Sequence, residues 1–269
     1  MVHPADILAC SFAEVSYHFL RHGDGFSCGD TCNFTAIHDT LLNTTWHSPN
    51  PVSDGYLAVN SKEKEIYVVW TGTRRIRSIL VDVTFMFEDF PKDVPGSAVH
   101  VGFLESTNAV YPHILKNINS LAEDYPDYAI SFIGHSLGGA SAVLSALQYA
   151  KDNMFDKDRI RVWTFGEPRV GNKRFAEYYT ELLGSQTYRI TYQADFVPHV
   201  PPWQFLGYQH HPLEIHIINK EGDFYVCQNT VREDLDGGYR WPTIDTSFSD
   251  HINYFGKPEI ANFEPLIRW

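Results

Sequence analysis

Residues 132–143 read FIGHSLGGASAV, with Ser136 two places after one glycine and two places before another. A G-x-S-x-G match alone is a weak signal, since an ordinary serine in a glycine-rich turn satisfies it. The flanks sharpen it. Residues 128–133 (YAISFI) are β-branched and aromatic and predict a short buried strand. Residues 136–151 carry apolar side chains at helical spacing, with small residues in the first turn. A strand, a sharp turn and a helix in that order lift a serine hydroxyl clear of a sheet. Such a nucleophile needs a base within hydrogen-bond reach and an acid to orient the base.

Two later segments offer them. Asp195, in TYRITYQADFVPHVPP, falls just past the end of a predicted strand, and His251 lies in SDHINYFG. Serine, then acid, then histidine is the α/β-hydrolase order, with the partners on loops at the carboxyl ends of later strands. With 13 histidines in the chain, the choice of base needs grounds. His199, His210 and His211 follow Asp195 too closely to come from the next strand's loop. His216 sits inside a strand pattern, and His100 precedes Ser136. A plain surface-loop histidine remains the alternative reading of His251. For the developing oxyanion, one donor is the backbone N–H after the nucleophile, that of Leu137, and the loop TGT after IYVVW fits the second.

These residues need a scaffold of alternating strands and helices. GYLAVN, EIYVVWTGT, RIRVWTFG and TYRITYQ read as strands, and LEIHIIN with DFYVCQN as a strand pair. Residues 4–21, 102–124 and 172–183 have helical period, and SDHINYFG reads as a final helical turn. Residues 23–53, EDFPKDVPGSA and the proline-rich VPHVPPWQFLGYQHHP read as loops. The pattern predicts an α/β fold with a largely parallel sheet, and residues 1–269 as a single domain.

Composition narrows the partners. The chain is 43% hydrophobic and 14% aromatic, with 21 Lys+Arg against 33 Asp+Glu and a net charge of −12. That balance argues against nucleic acid and against docking on an anionic membrane. No apolar run reaches membrane-spanning length, and the N-terminus lacks the pattern of a signal peptide. No metal or organic cofactor is implied. Cys28 and Cys32 are close enough for a local disulfide, with sequons at Asn33 and Asn43 just beyond, which favours a secreted protein over an intracellular one. Cys10 and Cys227, on an apolar helix face and in an apolar strand, read as buried thiols, with a bridge as the alternative.

Six blocks, VVWTGT, AVHVGFLES, GHSLGGA, TFGEPRVGN, RITYQADFVPHVPP and SDHINYFG, stand in the order found in fungal class 3 (triacylglycerol) lipases. The resemblance spans about residues 55–256, and GYLAV, YPDY and W…GYQH look closer still to the secreted lipases of yeasts. It implies an α/β-hydrolase fold with a short lid helix, and the triad Ser136, Asp195 and His251. It also implies Thr73 as the second oxyanion residue and a lipid ester substrate at an oil–water interface. The family's usual arginine before the glycine of that oxyanion block is Thr71 here. A monomer is expected. A feruloyl-type esterase or a phospholipase on the same fold, and an inactive homologue acting as a binding module, are the rival readings.

In RRIRSILVD, Ile76, Ile79 and Leu80 fall at i, i+3 and i+4 and make one narrow apolar face on about two helical turns. A surface helix packing on the core would show the same stripe. The segment follows Thr73 directly, and it resembles the family's lid in place and length. The resemblance also implies that Val83 and Phe85, in DVTFMF, line an acyl groove. A lid carrying this stripe predicts a rate that rises as tributyrin passes its solubility limit, blunted in Ile79→Asp. A smooth saturating curve, unchanged by the substitution, refutes it.

Overall fold

The computed structural model describes residues 39–47, 54–73, 85–203, 207–220, 223–227, 233, 237–242 and 245–254, apart from the side chains of residues 154–156. The expectations for residues 4–21, for Cys10, Cys28, Cys32 and Asn33, and for Ile76, Ile79, Leu80 and Val83 lie outside the described residues.

The chain opens with three strands, β1 (Thr40–Trp46), β2 (Gly55–Asn60) and β3 (Glu65–Trp70). Two short strands follow, β4 (Phe87–Asp89) and β5 (Ala98–His100), then helices α1 (Val101–Asn108) and α2 (Tyr111–Asp124). Next come β6 (Ala129–His135), α3 (Leu137–Asp152), β7 (Ile160–Phe165), β8 (Gly171–Asn172), α4 (Lys173–Leu183) and β9 (Thr187–Tyr192). The described chain closes with β10 (Tyr208–Gln209), β11 (Glu214–Ile217), β12 (Phe224–Val226) and α5 (Phe248–His251).

Eight strands form one sheet in the order β1-β2-β3-β6-β7-β9-β11-β12. From β3 to β11 every pairing is parallel, and the outer pairings are antiparallel. This is the α/β-hydrolase fold. Its parallel strands are buried on both faces, which is why EIYVVW and AISFIGH read as near-continuous apolar runs. Leu57, Val68, Phe132 and Val162 face the cluster that holds α1 to α4, and Tyr56, Val69, Ile133 and Phe165 face the other. A second, four-stranded sheet runs β10-β8-β5-β4.

Four expectations need correction. Residues 40–46 lie within the segment read as loop, yet form the edge strand β1, which pairs along all of β2. A register shift between Leu42 and Thr44 breaks its alternation, so the period-2 signal is lost. Glu88 and Asp89, the first residues of another loop reading, belong to the three-residue strand Phe87–Asp89, too short for periodicity to show. The helix expected over 102–124 is two helices, with Pro112 in the first turn of α2. In one continuous helix its ring would meet the carbonyl of Asn108. Cys227, expected within a strand, follows the last residue of β12 and is buried.

Candidate active site

Ser136, Thr73 and Asp195 sit at or just past the carboxyl ends of three strands of the parallel part of the sheet. Ser136 follows β6 directly, Thr73 is three residues past β3, and Asp195 is three past β9. Ser136 has φ 59° and ψ −130°, a backbone costly for any residue with a side chain. The turn is held by its neighbours. Ser136 N–H donates to Phe165 O at 2.8 Å, and Gly139 N–H donates back to Ser136 O at 2.9 Å. A Cβ at Gly134 would come within 2.1 Å of Gly138 O, so strand and helix can meet this closely only with glycine there.

The two oxyanion candidates come from segments in contact. A Cβ on Gly138 would lie 2.4 Å from Trp70 O and 2.8 Å from Thr71 O, so the strand end leading to Thr73 rests on the first turn of α3, beside Leu137. Thr71, where the resemblance expects arginine, donates from its N–H and its hydroxyl to Asp54 O, at 2.9 and 3.2 Å. Thr73 and Leu137 are both buried. Phe85 is partly buried and meets His100 edge-on at 6.3 Å.

Asp195 and His251 are brought together across 56 residues of sequence. A backbone staple does it: Ser247 N–H donates to Ala194 O, Phe196 N–H donates to Ser247 O, and Ala194 N–H donates to the Asp250 carboxylate. α5 starts at that staple and ends on His251. His251 Nδ1 then lies 2.9 Å from Asp195 Oδ2, with both side chains 1% exposed. A carboxylate accepting there puts the imidazole proton on Nδ1 and leaves the Nε2 lone pair to act as a base. His251 Nε2 and Ser136 Oγ are both buried, and neither has a hydrogen bond among the described residues. Burial acts to raise the Asp195 carboxyl. The His251 charge and hydrogen bonds from His251, Tyr254 and the Val197 N–H outweigh it and hold the group below the usual carboxylate value.

Three neighbours escaped the reading of the sequence. His135 stacks on His251 with ring centroids 4.5 Å apart, and its Nε2–H donates to His251 O at 2.8 Å. Burial, then the His251 charge, lowers its pKa to about 3, so it stays neutral. Tyr254 donates its hydroxyl to Asp195 Oδ2 at 2.6 Å. Gly166, at φ +56°, lets the backbone approach the pair: a Cβ there would meet Asp195 Oδ2 at 2.7 Å and His251 Nδ1 at 2.8 Å. The adjacent histidine of GHS and the tyrosine three places after His251 were visible as residue types. Their roles depend on where the His251 loop lands.

The family model described as Lipase (class 3) matches residues 67–205. The chain belongs to the class 3 lipase family. A curated lipase of Rhizopus niveus is 34% identical over 220 residues, covering 81% of this chain and 55% of that protein. A secreted mono- and diacylglycerol lipase 2 of Gibberella zeae is 30% identical over 249 residues, covering 75% of this chain and 60% of that protein. The chain thus spans little more than half the length of these class 3 relatives. One solved structure, described as a serine protease triad forming the catalytic centre of a triacylglycerol lipase, superposes with a TM-score of 0.85. It is 31% identical, and the match covers 94% of this chain and 93% of that one.

Around the class 3 site, burial keeps several histidines neutral. Burial is the leading cause that lowers His100, to about 4, and likewise lowers His199, His210 and His216. The sign follows from these depressed values. The unfolded chain takes up protons below the ordinary histidine value while the folded chain does not, so stability is full above about pH 6.5 and declines as pH falls. Each such histidine adds a slope of up to ~1.4 kcal/mol per pH unit. The urea midpoint is expected to drop clearly between pH 7 and pH 5, and equal midpoints would contradict it.

Proposed function

We propose that the protein hydrolyses carboxylic esters of acylglycerols at an oil–water interface through an acyl-enzyme. Ser136 Oγ attacks the ester carbonyl as His251 Nε2 takes its proton. Asp195 keeps the imidazole tautomer and stabilises the imidazolium, and Thr73 with the Leu137 N–H receives the oxyanion. Collapse of the tetrahedral intermediate expels the alcohol, which takes the proton from His251. Water, deprotonated by the same histidine, then releases the fatty acid and restores Ser136.

The observation that carries this reading is the buried 2.9 Å Asp195–His251 pair at the strand ends that also present Ser136 in a strained elbow. The superposable triacylglycerol lipase, with its serine protease triad, supports the same roles. An intact Ser–Asp–His set argues against a binding module. With a net charge of −12, the favoured surface is neutral oil rather than an anionic bilayer. Secretion is supported by the name of the Gibberella zeae relative and by Asn43, a sequon asparagine exposed on the edge strand β1.

The test is covalent labelling by an alkyl phosphonate together with hydrolysis of tributyrin, triolein, a phospholipid and methyl ferulate. The wild-type chain is expected to label at Ser136 and to cleave the triacylglycerols fastest. Label elsewhere, or fastest cleavage of ferulate or phospholipid, would displace the reading.

A further inference from the structure

Asp195 has two carboxylate oxygens and, among the described residues, three donors. Oδ1 accepts the Val197 N–H at 2.8 Å. Oδ2 accepts both His251 Nδ1–H at 2.9 Å and the Tyr254 hydroxyl at 2.6 Å. The phenol bond is the shorter one, within the range of charge-assisted O–H···O⁻ contacts. We propose that Tyr254 is a positioning residue of the acid–base pair, its hydroxyl sharing the Asp195 oxygen that orients His251 and setting how much negative charge that oxygen presents to the imidazole. This rests on the acyl-enzyme reading above.

The ring is held from three sides. It stands edge-on to His135 at 5.5 Å and to Phe165 at 6.2 Å, and tilts against Tyr192 at 5.6 Å. It is 2% exposed. Burial, followed by the Asp195 charge, pushes the phenol well above its usual pKa, so it remains a donor at any assay pH. An ordinary core aromatic would need no hydroxyl, and phenylalanine would fill the same space. The hydroxyl is therefore the part to be explained, and its partner is the oxygen that also binds the base.

Removing that donor leaves the Oδ2 charge to His251 alone. A more basic carboxylate holds the imidazolium more tightly, so the base takes its proton at higher pH. The carboxyl also loses one of the bonds that fix its rotation, which loosens the geometry of the pair. Other titratable groups around the pair stay in place: His135 on β6, Tyr192 on β9, Asp250 on α5, and His199 in the short 3-10 helix after Asp195. Glu214 and Arg189 act on Tyr254 by charge from β11 and β9.

The experiment compares Tyr254→Phe, wild type, Ser136→Ala and a chain with 3-fluorotyrosine at 254, all counted by phosphonate titration of active sites. Per titrated site, Tyr254→Phe is expected to lose roughly tenfold in kcat. The acid limb of its kcat/KM profile should move up by about half a pH unit, and fluorotyrosine, the stronger donor of the same shape, should move it down. A Phe variant with fewer titratable sites but wild-type kcat and an unmoved limb would make Tyr254 structural only and overturn the proposal. The fluorotyrosine chain decides the matter if the Phe variant does not fold. If Ser136→Ala turns over as wild type does, the acyl-enzyme reading itself falls, and this inference with it.

Discussion

Ser136→Ala is expected to lose at least about 10⁴-fold in kcat on tributyrin while folding normally. The substitution removes one buried oxygen that has no hydrogen bond among the described residues, so nothing is left unpaired by it. It also relaxes nothing in the elbow, because φ 59° is set by the backbone bonds to Phe165 and Gly139. Stability should therefore stay close to wild type. Asp195→Asn should cost about 10³–10⁴-fold, since an amide can hold the imidazole in the wrong tautomer. Combining Asp195→Asn with Ser136→Ala should add little to Ser136→Ala alone, because the residues work as one unit. The check is steady-state hydrolysis beside circular dichroism and phosphonate labelling. Near-normal turnover by a folded Ser136→Ala chain would remove the nucleophile from the argument, and additive losses would mean the residues act separately.

The parts of this site that were legible in the sequence are those with local signatures. The elbow at Ser136 announces itself through small residues between an apolar run and a helical period, and Asp195 through its place after TYRITY. What places His251 is not local. The staple between residues 194–196 and 247–250 is made of backbone bonds and one carboxylate, with no spacing rule behind it. Chain order, the setting aside of the other histidines and the family resemblance pointed to His251, and its neighbours His135 and Tyr254 gain meaning only once that staple closes. β1 was missed for a similar reason: its register shift hides alternation, and antiparallel pairing with β2 decides its conformation. The break at Pro112 was missed, although a proline ring inside a helix clashes with the carbonyl four residues back and kinks or breaks it.

Gly166→Ala is the second large effect, and its cause can be separated from simple strain. Gly166 has φ +56°, so any side chain there costs ~1–2 kcal/mol in the left-handed region. The new methyl would also lie 2.7 Å from Asp195 Oδ2, 2.8 Å from His251 Nδ1 and 2.8 Å from the Tyr254 hydroxyl. All three contacts are below what a Cβ tolerates, and His251 Nδ1 and the Tyr254 hydroxyl are both hydrogen-bonded to Asp195 Oδ2, so a retreat strains the acid–base pair. A displacement of that kind is expected to cost about 10²-fold or more in kcat. Gly96→Ala supplies the control. Gly96 has φ +77° and nothing within 4 Å of the position its Cβ would take, so it carries the backbone penalty without the collision. Both variants should lower the urea midpoint, while only Gly166→Ala should lose turnover per folded molecule. Equal activity in the two would mean that the strand end after β7 can shift away from the pair, and that the packing of Gly166 does not hold Asp195 and His251 in register.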